Sequence, residues 1–165
     1  YSSEHRTDFL DVYLPSKCKF FLGTTSGMSD MPQLFDVPRI GTNYLPVCEK
    51  PMGKHCLYIP KIIRQRASGE PVPYRVFLEC ETERDFYDGH RFKEMGFVVE
   101  DNSSRDILNI TVEMNERLDG VFRYTDEDER LLQMSFEMFK RCNVSHGNRT
   151  PVGIMFLREH QELFS

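Results

Sequence analysis

The stretch that decides the fold covers residues 17–43 and reads KCKFFLGTTSGMSDMPQLFDVPRIGTN. An apolar run at 17–22 is followed by two glycines that enclose three small hydroxyl residues, namely Gly23, Thr24, Thr25, Ser26 and Gly27. A short amphipathic segment comes next, and a second apolar run fills residues 37–42. Strand, loop, helix and strand in this order indicate one unit of a parallel α/β sheet.

Pro32 limits where the short helix can begin. A proline fits the first helical turn, where its missing N–H is not needed, but in a helix interior it clashes with the carbonyl four residues earlier. The helix is therefore predicted to start at Ser29 or Asp30 and to end near Asp36. This leaves residues 23–28, from Gly23 to Met28, as a loop at the carboxyl end of the first strand.

The rest of the chain gives shorter signals. A helix is expected over residues 7–14, because Thr7 can cap it and Pro15 should stop it. Residues 43–69 contain three prolines and are predicted to be irregular, with a possible helical turn after Pro60. Further helices are expected at 74–81, 84–95 and 152–164, and a strand at 97–100.

The clearest helical pattern follows Ser103 or Ser104, either of which can cap it. Its apolar residues recur every three or four positions, at Ile107, Ile110, Met114, Leu118 and Val121. Another helix is predicted after Thr125, where three acidic residues favour the helix dipole. These residues, Asp126 to Asp128, also match the D-x-D metal motif of GT-A transferases, but that motif sits at a strand end, so capping is the predicted role.

Alternating short helices and buried strands, followed by helices, indicate an α/β layered domain. The run at 17–22 is apolar on both faces, which is typical of a buried parallel strand. With 165 residues, the chain is long enough for one domain with a proper core. The strands are few for a doubly wound sheet, so part of the sheet is expected upstream of Tyr1.

Composition and charge narrow the classes of partner. The formal net charge is −5, which argues against nucleic acid, because phosphate-backbone binding needs a basic face. No apolar stretch approaches the ~20 residues that span a bilayer, so no transmembrane segment is predicted. Residues 50–66 nevertheless hold five basic side chains and no acidic one. This segment is either a solvated surface or a site for a small anionic ligand.

The five cysteines are odd in number and form no C-x-x-C pair. Unpaired thiols and a cytoplasmic compartment are therefore predicted. Four N-x-S/T sequons would matter only in a secreted protein, and the one at Asn109 falls inside a predicted helix. The histidines show no metal-ligand spacing, and no metal site is expected.

The GTTSG loop has two interpretations. Loops at the carboxyl ends of parallel strands border the crevice where ligands bind, and a helix start offers free N–H groups to a phosphate. An ordinary turn between strand and helix explains the same residues, since the pattern is neither a Walker loop nor G-x-G-x-x-G. Asp30 would repel a phosphate, but it could accept hydrogen bonds from sugar hydroxyls or cap the helix.

The segment DFLDVYLPSKCKFFLGTTSGMSDMPQLFDVPRIGTN resembles the characteristic block of a bacterial family of glycosyltransferases associated with surface-polysaccharide genes. Later segments match in order: LYIPKII, FKEMGFVVEDNSSRDILNITVEMNERLDG and FLREHQELF. The resemblance covers nearly the whole chain, and the first block is its specific part. It implies the C-terminal, Rossmann-like donor-binding portion of a GT-B fold, in which Thr24, Thr25, Ser26 and Gly27 receive the diphosphate of a nucleotide-sugar.

The same resemblance implies a separate N-terminal domain that binds the acceptor, a glycan or a lipid-linked glycan. Inverting GT-B enzymes usually draw their catalytic base from that domain, so no base is assigned among these residues. For the charge on the diphosphate, the basic segment offers Lys61 and Arg64 as candidates. A GT-B-like sugar- or nucleotide-binding or scaffolding module without activity is an alternative, and a sugar-nucleotide epimerase is another. The expected location is the cytoplasm, with the inner-membrane surface as an alternative.

Overall fold

The computed structural model describes residues 4–47, 50–78, 89–140 and 149–165, and it shows a mixed α/β domain. Its strands are β1 (Phe21–Gly23), β2 (Arg39–Tyr44), β3 (Cys56–Pro60), β4 (Ile62–Gln65) and β5 (Phe97–Glu100). Its α-helices are α1 (Asp8–Lys17), α2 (Arg75–Leu78), α3 (Gly89–Glu94), α4 (Ser104–Leu118), α5 (Asp126–Phe139) and α6 (Ile154–Glu159). Segments of 3₁₀ helix cover Gly27–Phe35 and Gln161–Phe164. No described helix is both long and apolar enough to cross a bilayer.

Three parallel strands form the centre of the domain in the order β1-β2-β3. All five residues of β3 are buried, and Val152 forms a parallel bridge to Tyr58 on the side away from β2. The antiparallel pair β4–β5 is a separate sheet. The core joins β2 and β3 to α4, α5, α6 and the C-terminal 3₁₀ helix. Parallel strands with helices packed against them are compatible with a Rossmann-like fold.

The first strand differs from the prediction. It is parallel to β2, as expected, but it starts at Phe21, because α1 continues past Pro15 to Lys17. The expected stop at Pro15 is wrong: the ring is buried, and Cys18 N–H still closes the last turn onto the Leu14 carbonyl at 3.1 Å. Leu22 is 42% exposed, so β1 is a partly exposed strand rather than one buried on both faces.

The prediction that residues 43–69 are irregular is wrong. They contain β3, the most buried strand of the parallel sheet, and β4. Pro60 misled the interpretation because proline disfavours strand interiors, whereas here it is the last residue of β3. The helices expected at 74–81 and 84–95 are described only in part, as α2 and α3.

The helix starts predicted at Ser103 and Thr125 are confirmed. Each hydroxyl accepts from the N–H three residues on, and the carboxylate there accepts from the cap residue's own N–H. This reciprocal pattern is the capping box. Asp128 thus belongs to a cap, as predicted for the D-x-D sequence. Asn109 lies within α4, also as predicted.

Two buried carboxylates attach α6 to the helices before it. Glu113 Oε2 on α4 accepts from the Ile154 N–H at 2.7 Å, at the first residue of α6. Asp128 on α5 accepts from Arg158 Nε and Nη2, each at 2.7 Å. Because α6 has only six residues, it depends on such contacts rather than on its own helix propensity.

The two carboxyl groups respond differently to burial. Burial raises the pKa of Glu113 above its ordinary value, although the Ile154 N–H and Arg117 act in the other direction. Burial also tends to raise the pKa of Asp128, but hydrogen bonds from Thr125 and Arg158 outweigh it and hold that pKa below its ordinary value. Asp128 is therefore ionised at neutral pH and needs Arg158 as its partner.

Replacing Arg158 by alanine should lower the free energy of unfolding by about 2–4 kcal/mol at pH 7, because buried Asp128 loses two charged donors. Urea denaturation followed by circular dichroism measures this loss. Arg130→Ala is the control, since it removes an exposed pair with Glu127 and should cost under about 1 kcal/mol. Equal losses in the two variants would contradict the role given to Arg158.

The same contact predicts a pH dependence. A carboxyl group whose pKa is lowered on folding adds stability that is complete above its unfolded pKa, and that stability is lost as pH falls through the folded pKa. The cost of Asp128→Asn should therefore be constant from pH 7 down to about pH 4 and should shrink below that. A cost that stays constant in acid would mean that the ionised form contributes nothing.

Candidate functional site

The carboxyl ends of the three parallel strands bring their following residues to one edge of the sheet. Gly23 ends β1, Tyr44 ends β2 and Pro60 ends β3, so the loop after β1 and Lys61 lie at the same edge. With about 4.8 Å between neighbouring strands, β1 and β3 are about 10 Å apart. Gly23 is level with Tyr58, so β3 ends two residues beyond β1.

The loop after β1 is open to solvent. Thr24, Thr25, Ser26, Gly27 and Met28 are all exposed, and a Cβ added to Gly27 would meet no atom within 4 Å. The 3₁₀ helix begins at Gly27, two residues earlier than the predicted start at Ser29. The exposed loop at a strand end is thus confirmed, but Gly27 and Met28 form the first turn of the helix.

This start leaves polar groups for a ligand. Ser26 is the N-cap residue, yet its side chain makes no capping hydrogen bond. The first backbone bond of the turn runs from the Ser29 N–H to the Ser26 carbonyl at 2.9 Å. The N–H groups of Gly27 and Met28 precede that bond, as helix-start amides do, and no described residue accepts from them. The Met28 side chain lines an apolar cavity of about 300 Å³ between α1 and β1, so only its amide suits an anion.

Pro32 leaves one carbonyl of the 3₁₀ helix without its usual donor. In a 3₁₀ helix the N–H of residue 32 would donate to the Ser29 carbonyl, and proline has no N–H. The Ser29 carbonyl is therefore free and accepts from Arg39 Nη1 at 2.5 Å. Arg39 is the first residue of β2, so a buried cation joins this strand to the 3₁₀ helix.

Asp30, the predicted sugar contact, is a partner of that cation. Its Oδ1 accepts from Arg39 Nη1 at 3.0 Å, while 75% of its side chain is exposed. Its contact with Arg39 explains the acidic residue near the start of this helix without any ligand. The sugar-binding role stays a prediction.

Lys61 and Arg64 both have acidic partners. Lys61 follows β3, donates its backbone N–H to the Tyr44 carbonyl at 3.0 Å, and forms an ion pair with Asp101 through Nζ. Arg64 lies on β4, where Nε bonds Glu100 at 2.6 Å. Of the two, the structure brings only Lys61 to the edge that carries the GTTSG loop, because Arg64 belongs to the second sheet.

The rest of the basic segment spreads over different surfaces. Lys50 Nζ lies over the Phe136 and Phe139 rings, 5.8 and 5.1 Å from their centroids. Arg66 extends past the end of β4, where its N–H donates to the Gly96 carbonyl. These four cations therefore form no single patch, although they are close together in the sequence.

Sequence reasoning missed two asparagines that shape this edge. Asn43 lies in the left-handed region at φ 55°, which asparagine tolerates better than most residues. Its N–H donates to Asn102 Oδ1, and the Asn102 N–H donates to Asn43 Oδ1, each at 2.6 Å. Asn102 Nδ2 also bonds the Pro60 carbonyl at 2.7 Å. The one sequence signal for this contact was G-T-N at residues 41–43, which follows an apolar run and is typical of a turn.

One group in the described ranges has metal-ligand composition. Single ligand atoms of Asp106, Glu159 and His160 lie within 4.8 Å of one another. Protein contacts account for these side chains: Asp106 closes the α4 capping box, Glu159 bonds Arg105 at 2.8 Å, and His160 Nε2 lies 3.5 Å from Asp106. They give no reason to assign a metal.

Two of the thiols can be assessed. Cys18 and Cys56 are unpaired, in agreement with the prediction. Cys48, Cys80 and Cys142 lie outside the described residues, as do the sequons at Asn143 and Asn148. Comparison with known proteins adds no identification, since no family profile, curated protein or solved structure matches this chain.

Replacing Asn102 by alanine should lower the free energy of unfolding by about 2–4 kcal/mol, because the Asn43 N–H and the Pro60 carbonyl lose their partner. Thermal or urea denaturation measures the change. Asn115→Ala provides the matched control, since its amide bonds lie on the surface with Lys19 and Asp119. If the control costs as much, the asparagine pair does not hold this edge together.

Proposed function

We propose that this chain is the donor-side part of a GT-B type glycosyltransferase and that it binds a nucleotide-sugar. The observation that carries the proposal is the exposed GTTSG loop at the carboxyl end of β1, where three hydroxyl residues are exposed and no described residue accepts from the N–H groups of Gly27 and Met28. Such a loop at a helix start is suited to a phosphate. The resemblance to the surface-polysaccharide glycosyltransferases supplies the sugar-transfer chemistry.

In this proposal the loop holds the diphosphate. Hydroxyls of Thr24, Thr25 and Ser26 donate to phosphate oxygens, together with the N–H groups of Gly27 and Met28. Lys61 adds a positive charge from the same edge of the sheet. Its present partner, Asp101, is 71% exposed at its side chain. A solvated pair of this kind is weak, so a phosphate group can replace Asp101.

Arg64 is the second cation proposed to bind the diphosphate, and we expect it to contribute less to binding than Lys61. Its pair with Glu100 is also open to solvent, but it starts from β4. Asp30 is proposed to bind sugar hydroxyls through the oxygen that Arg39 does not use.

The reaction transfers a glycosyl group. The bond between the anomeric carbon and the diphosphate oxygen breaks, and its electron pair stays on the departing diphosphate. An acceptor hydroxyl forms the new bond to the anomeric carbon and gives up its proton to a base. The residues named here stabilise the negative charge that develops on the leaving diphosphate, and this stabilisation lowers the activation barrier. The base is assigned to an N-terminal domain, which also binds the glycan or lipid-linked acceptor.

No metal enters the proposal, because N–H groups, hydroxyls and cations supply the stabilisation. The proposed compartment is the cytoplasm, where unpaired thiols such as Cys18 and Cys56 persist. Peripheral attachment to the inner membrane would place the enzyme near a lipid-linked acceptor.

Binding of UDP, GDP and CDP to the chain, measured by calorimetry, tests the proposal. At least one nucleotide should bind, and Lys61→Ala should weaken it by about tenfold or more, since a charged hydrogen bond is lost. Ser26→Ala should weaken binding by a smaller factor. Arg64→Ala should act in the same direction as Lys61→Ala.

Lys140→Ala is the control, because it removes one exposed lysine whose partner is Glu137 on α5. Its affinity should equal that of the wild type. No binding of any of the three nucleotides would contradict the donor-site proposal. Equal affinity in wild type and the Lys61→Ala, Arg64→Ala double variant would remove both cations from it and leave the loop alone.

A further inference from the structure

A second cavity lies at the opposite edge of the parallel sheet. Its volume is about 490 Å³, which falls within the range of small-molecule sites. It is bordered by His55 and Cys56, at the amino end of β3, and by the end of α4 with the turn that follows it. Because β3 is five residues long, this cavity is about 15 Å from the carboxyl edge.

The described walls of this cavity carry two arginines. Arg117, Arg123 and His55 contribute nitrogen atoms, and no Asp or Glu belongs to the part of the lining that the structure describes. Arg117 pairs with Glu113 at 3.4 Å, so Arg123 is the arginine of the lining without a carboxylate partner among the described residues. The sign of the charge selects an anion.

Both guanidinium groups keep donors available. Arg117 uses only Nη1, which contacts the Tyr124 hydroxyl at 2.6 Å and Glu113 Oε1 at 3.4 Å. Arg123 likewise uses only Nη1, toward the Gly120 and Phe122 carbonyls. No described residue accepts from Nε or Nη2 of either arginine. Two guanidinium edges thus remain for the planar, two-point contact that Arg makes with phosphate or carboxylate.

The other polar groups of the lining add no negative charge. Burial raises the pKa of the Cys56 thiol, although nearby Arg39 opposes the change, so the thiol stays protonated at neutral pH. Burial also raises the pKa of Tyr124, and the Glu113 charge adds to the effect. The phenol remains neutral and anchors Arg117, whose guanidinium lies 5.5 Å from the ring centroid.

We propose that this cavity is a binding site for a small organic phosphate, with the phosphate at Arg117 and Arg123 and the organic part against Phe122, Met114 and Leu118. The apolar and aromatic part of the lining favours a phosphate ester over inorganic phosphate. The site is separate from the proposed donor site, since it shares no residue with it and lies at the other end of the strands. This proposal is therefore independent of the proposed function.

A titration of the ¹⁵N-labelled chain with phenyl phosphate, followed by NMR, tests the site. Saturable shifts are expected for amides at residues 55–57 and 117–124 and for the Nε–H of Arg117 and Arg123. Arg123→Ala should raise the dissociation constant by about tenfold or more, because a charged hydrogen bond is lost. His55→Ala, on a different segment, should weaken binding as well, and phenol without a phosphate should give no saturable shift.

Arg130→Ala is the charge-matched control and should bind like the wild type, because Arg130 is exposed on α5 and bonded to Glu127. Lys61→Ala should also bind phenyl phosphate normally, which separates this site from the donor site. Absence of saturable binding, shifts confined to residues 23–28, or equal affinity in wild type and Arg123→Ala would each overturn the proposal.

Discussion

The buried charge of Arg39, the first residue of β2, is the constraint that holds the 3₁₀ helix against the parallel sheet. A guanidinium that is only 3% exposed needs acceptors, since an unpaired buried charge costs several kcal/mol. Both Nη atoms have acceptors, whereas the buried Nε has no hydrogen-bond partner among the described residues. The acceptors of the Nη atoms are the Ser29 carbonyl, Asp30, Gln33 and the Met52 carbonyl. Three of them belong to the 3₁₀ helix, and the fourth precedes β3. The cation thus fixes the helix that starts at the GTTSG loop against the first residue of β2.

The parallel sheet separates two kinds of chemistry at the two ends of its strands. At the carboxyl edge, backbone amides and hydroxyls dominate, and the cation Lys61 is shared with a solvated acid. At the amino edge, two arginines line a cavity to which no described Asp or Glu belongs, although Arg117 is paired with Glu113 on α4. The parallel arrangement causes the separation, because all three strands place their ends of the same polarity on the same side.

The sequence was informative where a local signal and the fold agree. Ser103 and Thr125 begin α4 and α5 as predicted, because a capping box is a contact within four residues. The loop after β1 followed from its glycines, whereas the helix start inferred from Pro32 was two residues too late. These features need no knowledge of the distant chain.

Features that join distant residues could not be predicted in this way. The Asn43–Asn102 pair spans 59 positions, and Arg158 reaches Asp128 across 30. β3 was missed because its burial on all sides depends on neighbours, whereas the nearby prolines are visible in the sequence. The basic segment was interpreted as one surface for the same reason: Lys50, Lys61 and Arg64 are close in sequence, but the strands carry them to different partners.

Pro32 and Arg39 do not contact each other through a hydrogen bond, but both determine the bonding of the same carbonyl, that of Ser29. The proline leaves a carbonyl without its usual donor, and the arginine occupies it. An ordinary residue at position 32 would bring its own N–H to that carbonyl and compete with the guanidinium. Relatives of this chain should therefore show correlated substitutions at the two positions: a sequence that loses the proline should also replace the arginine by a smaller or uncharged residue.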